Sequence, residues 1–163
     1  MFSNNIAIGV VFWALVFTCP AAVHHFSLKG ESEVIVSEIN IQKKYSLNII
    51  INGYNVNCKG DRMIVWGHAK KINNDNPQDS SIVLIDLKKN KVIKESRFSK
   101  GIFGVSYLSG KNVAYIASGG GYLLDTNTSS ISNIDPVMDI TIDGLFEKCA
   151  KNKSWSYNRY PDN

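Results

Sequence analysis

Three histidines and three cysteines carry the side chains of this sequence best suited to chemistry near neutral pH. His24 and His25 adjoin the expected end of an apolar leader, where disorder outside the fold is expected, and His68 follows Gly67 alone. A solitary histidine at a strand end reads as structural or solvent-facing. No serine occupies a Gly-x-Ser-x-Gly setting, the turn that presents the nucleophile in one common hydrolase class. Neither Cys58 nor Cys149 has a second ligand at Cys-x-x-Cys spacing, so no metal centre is expected. Asp125, Asn127 and Ser129 alternate as calcium ligands do, but the central glycine and final glutamate of a helical calcium loop are missing. Asp139 and Asp143 would share one face if DITIDG were a strand, giving either a carboxylate pair or a solvated face. The run SGGGY (118–122) lacks the Lys-Ser/Thr pair and the helix that a phosphate loop requires. These residues predict no catalytic set, no metal and no cofactor.

Binding chemistry is better represented. Trp155, Tyr157, Arg159 and Tyr160 place three aromatics and an arginine within six residues near the end of the chain. Those residue types concentrate in binding hot spots. The alternative is that the tail covers one end of the domain with its aromatics. Gly119, Gly120 and Gly121 would let a partner backbone approach closely, with Tyr122 beside them; otherwise they form a sharply bent connection between strands. The expected partner-binding set is therefore Gly119, Gly120, Gly121, Tyr122, Trp155, Tyr157, Arg159 and Tyr160. A nucleic acid is not the expected partner. The net charge is only +4, and the lysines are scattered among Asn and Ser.

The compartment follows from the first residues. MFSNNIAIGVVFWALVFTCPAAV carries no charged side chain, and an apolar run from Ile6 to Phe17 precedes Ala21 and Ala22. That layout predicts a signal peptide over 1–22 and a mature body over 23–163. An uncleaved anchor is the rival reading, since about 20 apolar residues span a bilayer. Either way the body is exported, to a periplasm or beyond, with no membrane span after signal cleavage. Loss of Cys19 with the leader leaves Cys58 and Cys149, which an oxidising compartment would join. Two unpaired buried thiols are the alternative. A disulfide closing so long a loop would stabilise by about 4 kcal/mol in the chain-entropy view.

The body must position these groups on strands. VIVSEINI (34–41) and SLNIIING (46–53) read as a hairpin around the polar QKKY. RMIVWGHA, SIVLID, KVIKESRF, GVSYLS, NVAYIAS, YLLD and ISNI follow, separated by turn signals. GLFEKCAKN (144–152) has a helical period, with Asp143 as its N-cap. One unit recurs: LIDLKKNKVI (84–93) returns as LLDTNTSSIS (123–132), an apolar pair, an aspartate, a polar turn and a second strand. The aspartate ends the strand, and its side chain can accept from turn N–H groups.

These stretches resemble the outer strands of β-propeller blades, with Asn90 and Ser129 or Ser130 where the turn glycine usually stands. The exported body, about 140 residues, holds at most three blades and a fraction at about 40 residues each. The expected class is all-β: antiparallel blade-like four-stranded meanders, compressed propeller-like or stacked as a sandwich, with a short C-terminal helix. In its leader, size and β content the chain resembles small periplasmic immunity proteins that neutralise type VI secretion toxins. That resemblance implies a non-enzymatic protein whose partner is a toxin and whose mechanism is occlusion of the toxin's cleft. A secreted cell-wall or sugar hydrolase, or a structural or assembly module of the envelope, are the alternatives.

Overall fold

The computed structural model describes residues 25–38, 40–135, 139–149 and 153–157. The leader, His24, Arg159 and Tyr160 lie outside these residues. Alternating apolar residues build twelve strands in chain order: β1 His25–Lys29, β2 Glu33–Glu38, β3 Ile41–Ser46, β4 Ile49–Val56, β5 Arg62–Ala69, β6 Ser80–Asp86, β7 Lys91–Phe98, β8 Gly104–Tyr107, β9 Val113–Ala117, β10 Tyr122–Asp125, β11 Ile131–Asn133 and β12 Ser154–Ser156. They form three antiparallel sheets, ordered β1-β2-β3, β12-β4-β5-β6-β7 and β11-β10-β9-β8. Apart from β12, each sheet is a meander of successive strands, as the sequence pattern anticipates. No helix among the described residues is long and apolar enough to cross a membrane.

The sheets stack face to face, and strand alternation sorts the core into two layers. Met63, Val65, Val83 and Ile85 of the middle sheet pack against Val34, Val36 and Tyr45 of the first. Their neighbours Ile64, Trp66, Ile82 and Leu84 point the other way, toward Val105, Tyr107, Ile116 and Leu124 of the third. That is why β6 is buried along its whole length and carries an unbroken apolar run over 82–85. β1 lies near β4, where the Phe26 and Tyr54 rings are 5.9 Å apart. β4 in turn approaches β8, where the Asn55 amide donates to the Val105 carbonyl at 2.9 Å. The first strands of the three meanders thus converge on one side, as inner strands of propeller blades do.

The repeat noted in the sequence is a repeat in three dimensions. Asp86 Oδ1 accepts from the Lys89 N–H, and Asp125 Oδ1 from the N–H groups of Asn127 and Thr128. The next residues, Asn90 and Ser129, take positive φ of 51° and 62°. They occupy the left-handed position where the blade turn usually carries glycine.

Three expectations need correction. QKKY is not a turn but the body of β3, which pairs with β2 through Glu38↔Ile41, while β4 joins the middle sheet. Its lysines disguise the strand, because Lys43 reaches the Leu87 carbonyl and Tyr45 is buried. His25 is not outside the fold: it begins β1, opposite Ser37. The described part of 144–152 is not helical. Phe146 instead bridges Leu108, with Ser109 N–H donating to Leu145 O and Glu147 N–H to Tyr107 O. Residues 150–152 lie outside the described set.

Candidate functional site

The end of the chain is laid against the converging inner strands. Residues 145–147 run beside the end of β8, and β12 runs antiparallel to β4 with Ser154↔Asn55, Trp155↔Tyr54 and Ser156↔Gly53. Between β12 and β8 a cleft of about 360 Å³ opens. Its walls are Ser154–Ser156 of β12 and Gly104–Ser106 of β8, with Asn55 and Trp66 among the residues behind them and Phe103 at its edge. Gly53 makes the arrangement possible. A Cβ there would fall 2.2 Å from Trp66 Cζ2 and 2.9 Å from the Trp155 carbonyl oxygen.

Alternation along β12 gives the site two sides. Ser154 and Ser156 share the face of Asn55 and Gly53, toward the cleft and the third sheet. Trp155 and Tyr157 share the opposite face with Tyr54. Trp155 is 38% exposed and Tyr157 63%. Across the cleft Phe103 is 83% exposed, the most exposed of the large apolar side chains described. An aromatic on a short segment so open to water is held there by backbone: its N–H donates to the Ala117 carbonyl at 2.8 Å. Tyr157 N–H donates to the Asn52 carbonyl at 2.7 Å. With the β12–β4 register, this turns the N–H groups of Trp155 and Tyr157 toward β4 and those of Ser154 and Ser156 away from it.

The glycine run is a hairpin turn between β9 and β10. Gly119 and Gly121 have φ of 56° and 83°, and Gly121 N–H donates to Ser118 O. It lies at the Phe103 end of the third sheet, since Phe103 bonds to Ala117, one residue before the turn begins. Gly120 meets no atom within 4 Å of an added Cβ and is open to another chain, whereas Lys100 lies against Gly119, and Gly121 is buried against Tyr115 and Ile134 and is not open to a partner. Tyr122 is half-buried and packs edge-on against Phe98, with ring centroids 5.1 Å apart. Phe103, flanked by Gly101 and Gly104, was not singled out from the sequence.

Electrostatically the cleft is neutral. Among its lining residues the one titratable side chain is Tyr54, whose phenol burial pushes above its usual range. Tyr107, nearby in β8, is raised well above its usual range by burial and the Glu147 carboxylate. The remaining candidates for acid–base work are dispersed. His68 is hydrogen-bonded to Asn52 through Nδ1 at 2.8 Å. Asp139 and Asp143 stand in turns, not on a strand. Asp139 accepts from the N–H and hydroxyl of Thr141, and Asp143 from Lys148 Nζ. Asp125 is occupied by its own turn.

Cys58 and Cys149 form a disulfide, with Cα atoms 5.2 Å apart. Glu147 stands beside the pair, but sulfurs bonded to each other are not thiolate ligands, and its Oε2 accepts from the Cys58 N–H at 2.7 Å. No protein-family model matches the chain, and no curated protein matches it.

Proposed function

We propose that the chain is an exported, non-enzymatic binding protein that holds a protein partner at the surface built around β12, Phe103 and the Gly119–Gly121 turn. The observation that carries this reading is Phe103: an 83% exposed ring whose backbone is tied to Ala117, across an uncharged cleft from β12, with Trp155 and the following Tyr157 exposed on the other face of that strand. Rigid aromatic anchors lose little entropy on binding and dominate interface energies. The edge of β12 supports the same reading. Ser-Trp-Ser, like the edge strand β11, lacks the charge that guards the lysine-bearing edges β3 and β7 against pairing with another chain. The leader and the disulfide fit work in an oxidising compartment.

More specifically, the protein acts as a periplasmic immunity protein that occludes the active cleft of a cognate type VI secretion toxin. The test is co-expression with the product of a neighbouring gene, assayed first for toxicity on its own. A stable one-to-one complex without toxin activity supports the reading; separate migration of the two proteins with undiminished toxicity removes it.

A further inference from the structure

This inference rests on the binding reading above and concerns what holds the surface in place. Among the described residues, three links between the tail and the turn after β4 converge on residue 58. The Cys58 N–H donates to Glu147 Oε2 at 2.7 Å, its carbonyl accepts from Lys153 Nζ at 2.8 Å, and its sulfur is bonded to Cys149. The two hydrogen bonds are exposed and compete with water. β12 begins at the residue after Lys153, has three exposed residues and pairs on one side only among the described residues. A three-residue edge ladder of this kind is marginal without a tether. The Cys58–Cys149 tether shortens the loop that docking must close and so raises the effective concentration of β12 at the β4 edge.

The middle sheet differs. β5 and β6 are buried on both faces, and their pairing does not involve the tail. Cys58 itself is exposed, so its disulfide is open to exchange.

We infer that the Cys58–Cys149 disulfide is a redox latch that completes the binding surface: the β12 wall is docked in the oxidised chain and released in the reduced one. The forming step is thiol–disulfide exchange with a disulfide donor. The Cys58 and Cys149 thiols are oxidised to one disulfide, and the donor disulfide is reduced to two thiols. Cys58 and Cys149 are then positioning residues. A chain still in a reducing compartment would lack the β12 wall, and export would assemble it.

The test uses the full mature chain and needs no partner. Amide hydrogen exchange is followed by NMR before and after reduction with dithiothreitol, with complete reduction confirmed by alkylation of two thiols. The latch predicts that exchange at Trp155 and Tyr157 accelerates at least tenfold on reduction, while Ile64, Val65, Val83 and Leu84 keep their protection. Re-oxidation with oxidised glutathione restores the slow exchange. Unchanged protection at Trp155 and Tyr157 overturns the latch. Equal loss at the four core amides also overturns it, because the disulfide then supports the whole domain and not one wall. A failed latch with intact partner binding leaves the binding reading standing, and the reverse outcome separates the two as cleanly.

Discussion

Asp86 and Asp125 do the same work 39 positions apart: each ends a strand and accepts a hydrogen bond from the N–H of the residue three further on, Lys89 and Thr128. One residue later the chain turns left-handed at Asn90 and at Ser129. The two hairpins differ in what surrounds them. Asp86 is buried and paired with Arg62 at 3.1 Å, whereas the Asp125 turn is largely exposed. Arg62 also reaches the Thr126 carbonyl at 3.4 Å, so one side chain links both copies across the sheet interface.

That difference predicts opposite responses to glycine. A left-handed residue other than glycine is strained by about 1 kcal/mol. Ser129→Gly relieves that strain with little lost and should raise stability by about 0.5 kcal/mol. Asn90→Gly also removes the acceptor of the Tyr45 hydroxyl, a 2.6 Å bond, and should be neutral or destabilising. Urea unfolding of the two variants checks the contrast.

Arg62 carries a larger burden. Its removal leaves the Asp86 carboxylate, with a side chain only 4% exposed, without its countercharge. Arg62→Ala should cost about 3 kcal/mol, and Asp86→Asn in the same background should recover part of it. Thermal or denaturant unfolding of the single and double variants measures both steps.

The acid limb of stability should report on the second copy of the turn. The N–H groups of Thr128 and Asn127 hold the Asp125 carboxyl below its ordinary value of 3.8. A group whose folded pKa is depressed contributes stability above its unfolded value, and that contribution is lost as pH falls through the folded one. Stability should therefore decline below about pH 4, and Asp125→Asn should remove this turn's share of that decline, destabilising most at pH 7 and converging on the parent in acid. Denaturant melts between pH 2 and 7 give the slope.

Gly53 tests the packing behind the cleft. Gly53→Ala drives a methyl into the Trp66 ring and toward the Trp155 carbonyl. The variant should lose roughly 1–3 kcal/mol and show a shifted Trp fluorescence spectrum. Gly120→Ala, with open space around it, should change stability by less than about 1 kcal/mol.

The meanders were legible because their physics is local. RMIVWGHA and KVIKESRF match β5 and β7 end to end, and the aspartate turns announced themselves by repetition. β3 was hidden because Lys43 and Lys44 keep their charges at the surface while Tyr45 alone enters the core. A lysine-rich strand at a sheet edge looks like a loop to any reading of hydrophobic period. The helix read over 144–152 is absent over its described part, 144–149, for a different reason. Its backbone groups are taken by β8 and its cysteine by Cys58, distant partners that no local pattern records. The candidate surface was half visible. Trp155 and Tyr157 were apparent by residue type, whereas Phe103 gained importance only when β12 was placed across a cleft from it.

The central claim is that this protein works by surface fit through an aromatic-edged strand and cleft. It is tested most directly by calorimetric titration of the mature protein, and of Phe103→Ala and Trp155→Ala, against the purified product of a neighbouring gene that is toxic on its own. The account predicts one-to-one binding of about nanomolar strength, weakened about 30-fold or more by either substitution, with unfolding midpoints close to the parent's. Binding that is absent, or indifferent to both substitutions, would contradict it.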